Sequence, residues 1–88
     1  MKNLAKLFKL LGDETRLKIL HSLIKKEKCV CEIISEVKKS QPTISIHLNR
    51  MEREGLLQSE RRGRMIFYRI KNPKIITLLK ATEEISHE

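Results

Sequence analysis

Two cysteines and one polar helix face carry the chemistry that this sequence offers. Cys29 and Cys31 are separated by a single residue. In an extended segment, residues two apart point to the same side, so the pair could present two thiolates to one soft ion. On a regular helix the same side chains would diverge by ~200°. Chelation therefore requires an extended or frayed helix start. A helix N-terminus directly after the pair, with Lys28 beside it, would lower the thiol pKa values and favour a metal or an oxidant. Three readings stay open: a soft-metal or metalloid site, buried structural thiols, and a redox-responsive pair. A disulfide between them is no folding framework in a reduced cytoplasm.

The second stretch is Ser40 to Leu57, SQPTISIHLNRMEREGLL. Pro42 suits the first turn of a helix, where its missing N–H costs nothing. Gln41 precedes the proline and is biased away from helical angles, which predicts a helix from about Pro42. At ~100° per residue, Ile44, Leu48 and Met51 share one sector and predict a core face. The opposite sector holds Pro42, Ile46, Asn49 and Arg53, with Thr43, Ser45 and Arg50 near its edges. Small polar groups, an amide, arginines and one isoleucine make a surface for a DNA major groove. Gln41 and Asn49 could read adenine, Ser45 a base edge or phosphate, and Ile46 a thymine methyl. His47 reads as a flank residue near the DNA backbone rather than a metal ligand. Gly55 ends the helix.

Other elements must position these groups. Leu4, Leu7, Phe8 and Leu11 are spaced as one stripe of an amphipathic first helix, which Gly12 ends. Asp13 predicts an N-cap, and Leu17, Leu20, Leu23 and Ile24 a second helix running to about Lys26. The tract around Glu27 reads as solvated. Cys29-Val30-Cys31 reads as extended, followed by a short third helix through Ile33, Ile34 and Val37. Residues 38–41 form the turn into the polar helix, giving a helix-turn-helix. After Gly55 the period changes to two. Residues 57–61 and 65–70 read as strands, with Arg62-Gly63-Arg64 as their turn. Arginines 61, 62 and 64 around that tip would contact phosphate or enter the minor groove. Pro73 starts a last helix whose Ile75, Ile76, Leu78, Leu79 and Ile85 exceed what a peripheral helix needs. The first and last helices are candidates for a two-fold interface.

Composition bounds the function. The 88 residues make one domain, 1–88, mainly α with a small β-hairpin. A chain this short has a marginal core, which a dimer would remedy. Net charge is +8. Between Lys38 and Lys71, nine basic side chains stand against three acidic ones, a net of +6 for that stretch. The excess therefore sits on the segment proposed to meet double-stranded DNA. No signal-peptide core or membrane-length apolar run is visible, which predicts a cytoplasmic protein without membrane contact. The three histidines are scattered, no glycine-rich phosphate loop is present, and no nucleophile–base spacing suggests an enzyme or a small organic substrate. A winged-helix module for protein–protein contact is the competing function class.

The polar-helix stretch resembles the recognition helix of the ArsR/SmtB family of winged-helix repressors. The likeness continues through GDETRLKIL upstream and RRGRMIFYRI downstream, covering nearly the whole chain. It implies a winged helix-turn-helix that dimerises through its first and last helices. Such a dimer binds an inverted-repeat operator and releases it when an inducer binds. KCVCE is similar to the metal-site motif of the family's arsenic and cadmium sensors, which implies Cys29 and Cys31 as ligands for As, Cd or Zn. Two departures stand out. Ile34 occupies the position of the arsenic sensors' third cysteine, and the cadmium sensors' N-terminal cysteines are lacking. The family's zinc-type positions on the last helix are Asn72, Lys74, Ile85 and Glu88, of which only Glu88 is a ligand type. Ile46 stands where many members carry a histidine. Without a metal response, the same likeness leaves a regulator sensing thiol redox state.

Overall fold

The computed structural model describes residues 2–86. Helix α1 (Lys2–Leu11) leads through Gly12 into α2 (Glu14–Ser22), whose N-cap is Asp13. The Asp13 carboxylate accepts the Arg16 backbone N–H at 3.0 Å. That bond holds its pKa below the ordinary value. The cap is therefore present near neutral pH and is lost as pH falls through the depressed pKa. Arg16 also donates from Nε to the Leu10 carbonyl at 2.5 Å, closing the free end of α1. The second helix ends four residues earlier than its apolar pattern suggests. The Ser22 hydroxyl donates to the Ile19 carbonyl at 2.6 Å, and Leu23 caps the end.

The early end frees the chain for a short strand that the sequence did not reveal. Strand β1 (Lys28–Cys29) pairs antiparallel with β3, Lys28 opposite Tyr68 and Cys29 opposite Phe67. Strands β2 (Leu57–Arg62) and β3 (Met65–Ile70) form the hairpin, and the sheet order is β1-β3-β2. Its turn is Gly63-Arg64 alone, with Gly63 at φ 63° as a two-residue hairpin requires. Arg62 thus belongs to the strand, opposite Met65, rather than to the turn.

Helices α3 (Val30–Val37) and α4 (Gln41–Arg53) form the helix-turn-helix. Helix α4 begins one residue before the expected start. Ser40 caps it by accepting the Thr43 N–H, which places Gln41 in the first turn and Pro42 second. Gly55 (φ 86°) ends it with the paired bonds of a Schellman motif: Leu56 N–H to the Met51 carbonyl and Gly55 N–H to that of Glu52. Between the helices, Lys38 adopts the left-handed conformation (φ 61°, ψ 45°) and donates its N–H to the Ile34 carbonyl. An L-residue pays ~1–2 kcal/mol there. Lys38→Gly is therefore expected to raise stability by roughly 0.5–1 kcal/mol in denaturant unfolding. A loss would show that the lysine side chain contributes more than its backbone costs.

One core joins the layers: Ile19, Leu20, Ile33, Ile44, Leu48, Met51, Leu57 and Leu79 are fully buried. Helix α5 (Pro73–Ser86), capped by Asn72 through the Lys74 N–H, buries Ile75 and Leu79. The architecture is a winged helix-turn-helix. The first helix forms as its stripe predicts, but its apolar residues divide. Leu10 and Leu11 face the core, while Leu4 and Phe8 remain 49% and 52% exposed. Its apolar arc is wider than the core covers. Ile85 on α5 is likewise 79% exposed. No helix among the described residues is long and apolar enough to cross a membrane.

Candidate nucleic-acid interface and cysteine pair

An open groove of about 480 Å³ runs between the start of α3, helix α4 and strand β3. Gln41, Ser45 and Asn49 line it from α4, and Arg64 and Met65 from the wing. Thus four residues singled out in the sequence converge on one surface. Ile46, at 66% exposure, stands out from the same helix, and Pro42 and Arg50 are also exposed. Thr43 is drawn into the cap, its Oγ1 accepting from the Ser40 hydroxyl at 2.9 Å. His47 lies half-buried and close enough to Asp13 to help depress its pKa. That places it toward α2 rather than among the groove residues.

The wing arginines divide. Arg61 and Arg64 make no ion pair among the described residues and are exposed. Arg62 is held. Its guanidinium donates to both Glu27 carboxylate oxygens, at 2.7 and 2.9 Å, and to Glu60 at 2.7 Å. It also lies 4.5 Å from the Phe67 ring centroid. The hydrogen bond from Arg62 keeps the Glu27 carboxyl below its ordinary pKa. Glu27, read as part of a solvated tract, is the partner that ties the wing to the α2–β1 loop. Met65 of β3 also lines the groove, a place the sequence did not assign it. Lys38 and Lys39, counted in the basic stretch, are exposed in the turn before α4.

Cys29 and Cys31 are joined through their sulfurs, with Cα atoms 5.4 Å apart. The expected convergence holds, but by a different backbone route. Only Cys29 is extended, as the N-cap of α3 (φ −77°, ψ 161°); Val30 and Cys31 already lie in the first turn. Glu32 stabilises this start by accepting the Cys29 N–H at 3.1 Å. Cys29 is only 2% exposed, whereas Cys31 is exposed. Both line the groove, as does Ile34. Lys28 does not serve the sulfurs: its ammonium is bound by Glu36 at 2.6 and 2.8 Å. Among the described residues no group of three His, Cys, Asp or Glu is placed to share an ion. Two sulfurs, once reduced, supply only part of a soft ion's shell. Of the zinc-type positions on the last helix, Asn72 caps α5, Lys74 and Ile85 are not ligands, and Glu88 lies outside the described residues.

Comparison with known proteins agrees with this architecture. Residues 13–59 match the family described as "Bacterial regulatory protein, arsR family". An uncharacterized HTH-type transcriptional regulator of Methanocaldococcus jannaschii, MJ1325, is 42% identical over 82 residues, 92% of each chain. The cadmium resistance transcriptional regulatory protein CadC of Listeria innocua is 42% identical over 74 residues, spanning 83% of this chain and 62% of that protein. Among solved structures, the homodimeric winged helix-turn-helix DNA-binding domain of Mb0332 from Mycobacterium bovis superposes with a TM-score of 0.87. It is 26% identical, with 99% of this chain and 81% of that one covered. The chain belongs to the ArsR family of transcriptional regulators.

Proposed function

We propose that the chain acts in the cytoplasm as a single-domain repressor that binds double-stranded DNA as a homodimer. One observation carries this reading: the groove that sets Gln41, Ser45 and Asn49 of α4 beside the unpaired Arg64 of the wing. Helix α4 lies in the major groove. Its amides and Ser45 meet base edges, Ile46 a thymine methyl, and Pro42, Thr43 and His47 its flanks. Arg50, Arg61 and Arg64 meet phosphates, with Arg62 steadying the wing. The apolar surface left bare on α1 and α5 meets its copy in the partner subunit, as the homodimeric relative supports. Two-fold symmetry implies an inverted-repeat operator with half-sites ~34–36 Å apart. Sedimentation at micromolar concentration tests the dimer; a monomer both free and on DNA would contradict it.

The effector in this reading is a soft metal or metalloid ion, As, Cd or Zn, held by the reduced Cys29 and Cys31 thiolates. Identity to a cadmium resistance regulator supports it. With two protein donors, the ion takes its remaining ligands from water, a free thiol or the partner subunit. Ion and operator then oppose one another by about 1–3 kcal/mol, or roughly 5–150-fold in affinity. Under reducing conditions, arsenite, cadmium or zinc is expected to weaken operator binding by the parent. A Cys29→Ser/Cys31→Ser variant should be indifferent. Equal effects on both proteins, or none on either, would remove ion sensing from this site.

A further inference from the structure

The two sulfurs differ in access, and the difference assigns them different chemical parts. Cys31 is exposed on the groove wall, in the first turn of α3. Cys29 is 2% exposed and lies within bonding reach of it. The groove is about 480 Å³, within the ~300–1,000 Å³ range of small-ligand sites. Among the described residues its only charged lining side chain is Arg64, and no acidic one lines it.

We propose that Cys31 is a covalent capture site for small anionic disulfides, and that Cys29 is the thiol that releases the captured group. The reduced Cys31 thiol loses its proton to solvent, and the thiolate attacks one sulfur of the small disulfide. A Cys31–sulfur bond forms, the small disulfide's S–S bond breaks, and the electron pair leaves on the first small thiolate. That thiolate takes up a proton from water. Cys29, deprotonated in turn, then attacks Cys31 Sγ. The Cys29–Cys31 bond forms, and the second small thiolate departs and is protonated. The balance is one protein dithiol and one small disulfide giving the protein disulfide and two small thiols.

The consequence for DNA rests on the operator-binding reading above. The captured group sits on Cys31 in the groove bordered by Gln41, Ser45, Asn49 and Arg64, so it occupies space the duplex needs. Closure by Cys29 clears the groove. The block lasts only as long as the adduct, and Cys29 sets that time.

Oxidised glutathione is the probe, with cystamine as the cationic counterpart. Reduced Cys29→Ser, freed of reductant, is expected to gain one glutathione on Cys31 by intact mass. Its operator affinity should fall at least tenfold and recover on adding a phosphine reductant. Cys31→Ser should gain none, because the remaining thiol is buried. The parent should end as the disulfide with no retained adduct. Glutathionylation of Cys29→Ser should outpace its reaction with cystamine, and Arg64→Gln should narrow that preference. Circular dichroism of each variant checks folding, and Cys29→Ala replaces Cys29→Ser if the latter is unfolded. Equal labelling of Cys31→Ser, or a stable adduct on the parent, would overturn the division of parts. A full adduct on Cys29→Ser with unchanged operator affinity would overturn the blocking role. Failure of the unmodified proteins to bind any duplex would count against the operator reading instead, and the mass results would still decide capture.

Discussion

Leu48→Ala is expected to destabilise the protein by about 2–5 kcal/mol, a large share of the ~4–13 kcal/mol expected for a domain of this size. Leu48 is fully buried between Ile44 and Met51 on the inner face of α4. Removing its branched end leaves a cavity in the core that joins the helix-turn-helix to the sheet. The thermal midpoint should drop by about 10 °C or more, since ~1 kcal/mol moves a domain of this size by about 4–8 °C. Ile46→Ala is the matched control. It removes a similar apolar group two residues away from a side chain exposed to solvent, and should change stability by no more than about 0.5 kcal/mol. Denaturant unfolding at fixed protein concentration separates the two. The opposite ranking would mean that α4 presents its other face to the core.

The second large effect separates base reading from phosphate contact. Asn49→Ala and Gln41→Ala should each cost about 1–3 kcal/mol on the preferred operator and little on random duplex. Arg64→Ala should weaken all duplexes alike and flatten the log–log salt slope by about one unit. On sequence alone Arg62 and Arg64 carry the same expectation; the ion pairs set them apart. Arg62 is committed to Glu27 and Glu60, so Arg62→Ala should lower affinity with a smaller change of slope than Arg64→Ala. Glu27→Ala, which removes one of the two carboxylates holding that guanidinium, should steepen the slope. Titrations of the five variants across a salt series provide the measurement. A loss of sequence preference in the arginine variants, with none in the amide variants, would reverse the assignment.

What could be read in the chain followed periodicity and punctuation. The buried triplet of α4 shows at helical spacing, and Gly55 marks its end because only a left-handed residue closes a Schellman motif cheaply. The hairpin shows as a change of period around Gly63. Strand β1 was hidden because two residues carry no period, and its pairing with Tyr68 and Phe67 spans some forty positions. The Arg62–Glu27 pair was hidden likewise, 35 residues apart, in a stretch whose charges read as solvent-facing. The stripe of α1 marked the helix but not how its apolar residues divide: Leu11 enters the core, while Leu4 and Phe8 match the helical period and stay exposed. At the site, the α4 face was legible because its outward polar pattern is local. The junction of α4, Cys31 and Arg64 in one groove was not, because it depends on how three elements pack.

The most direct measurement is selection of duplexes from a random pool, followed by titration of the selected sequence at defined salt. The expected result is an inverted repeat with half-site centres about 10–10.5 base pairs, or a multiple, apart. Two chains should bind each duplex, at least ~10³-fold more tightly than they bind unselected DNA. No enrichment, or saturation of a single half-site by one chain, would contradict it.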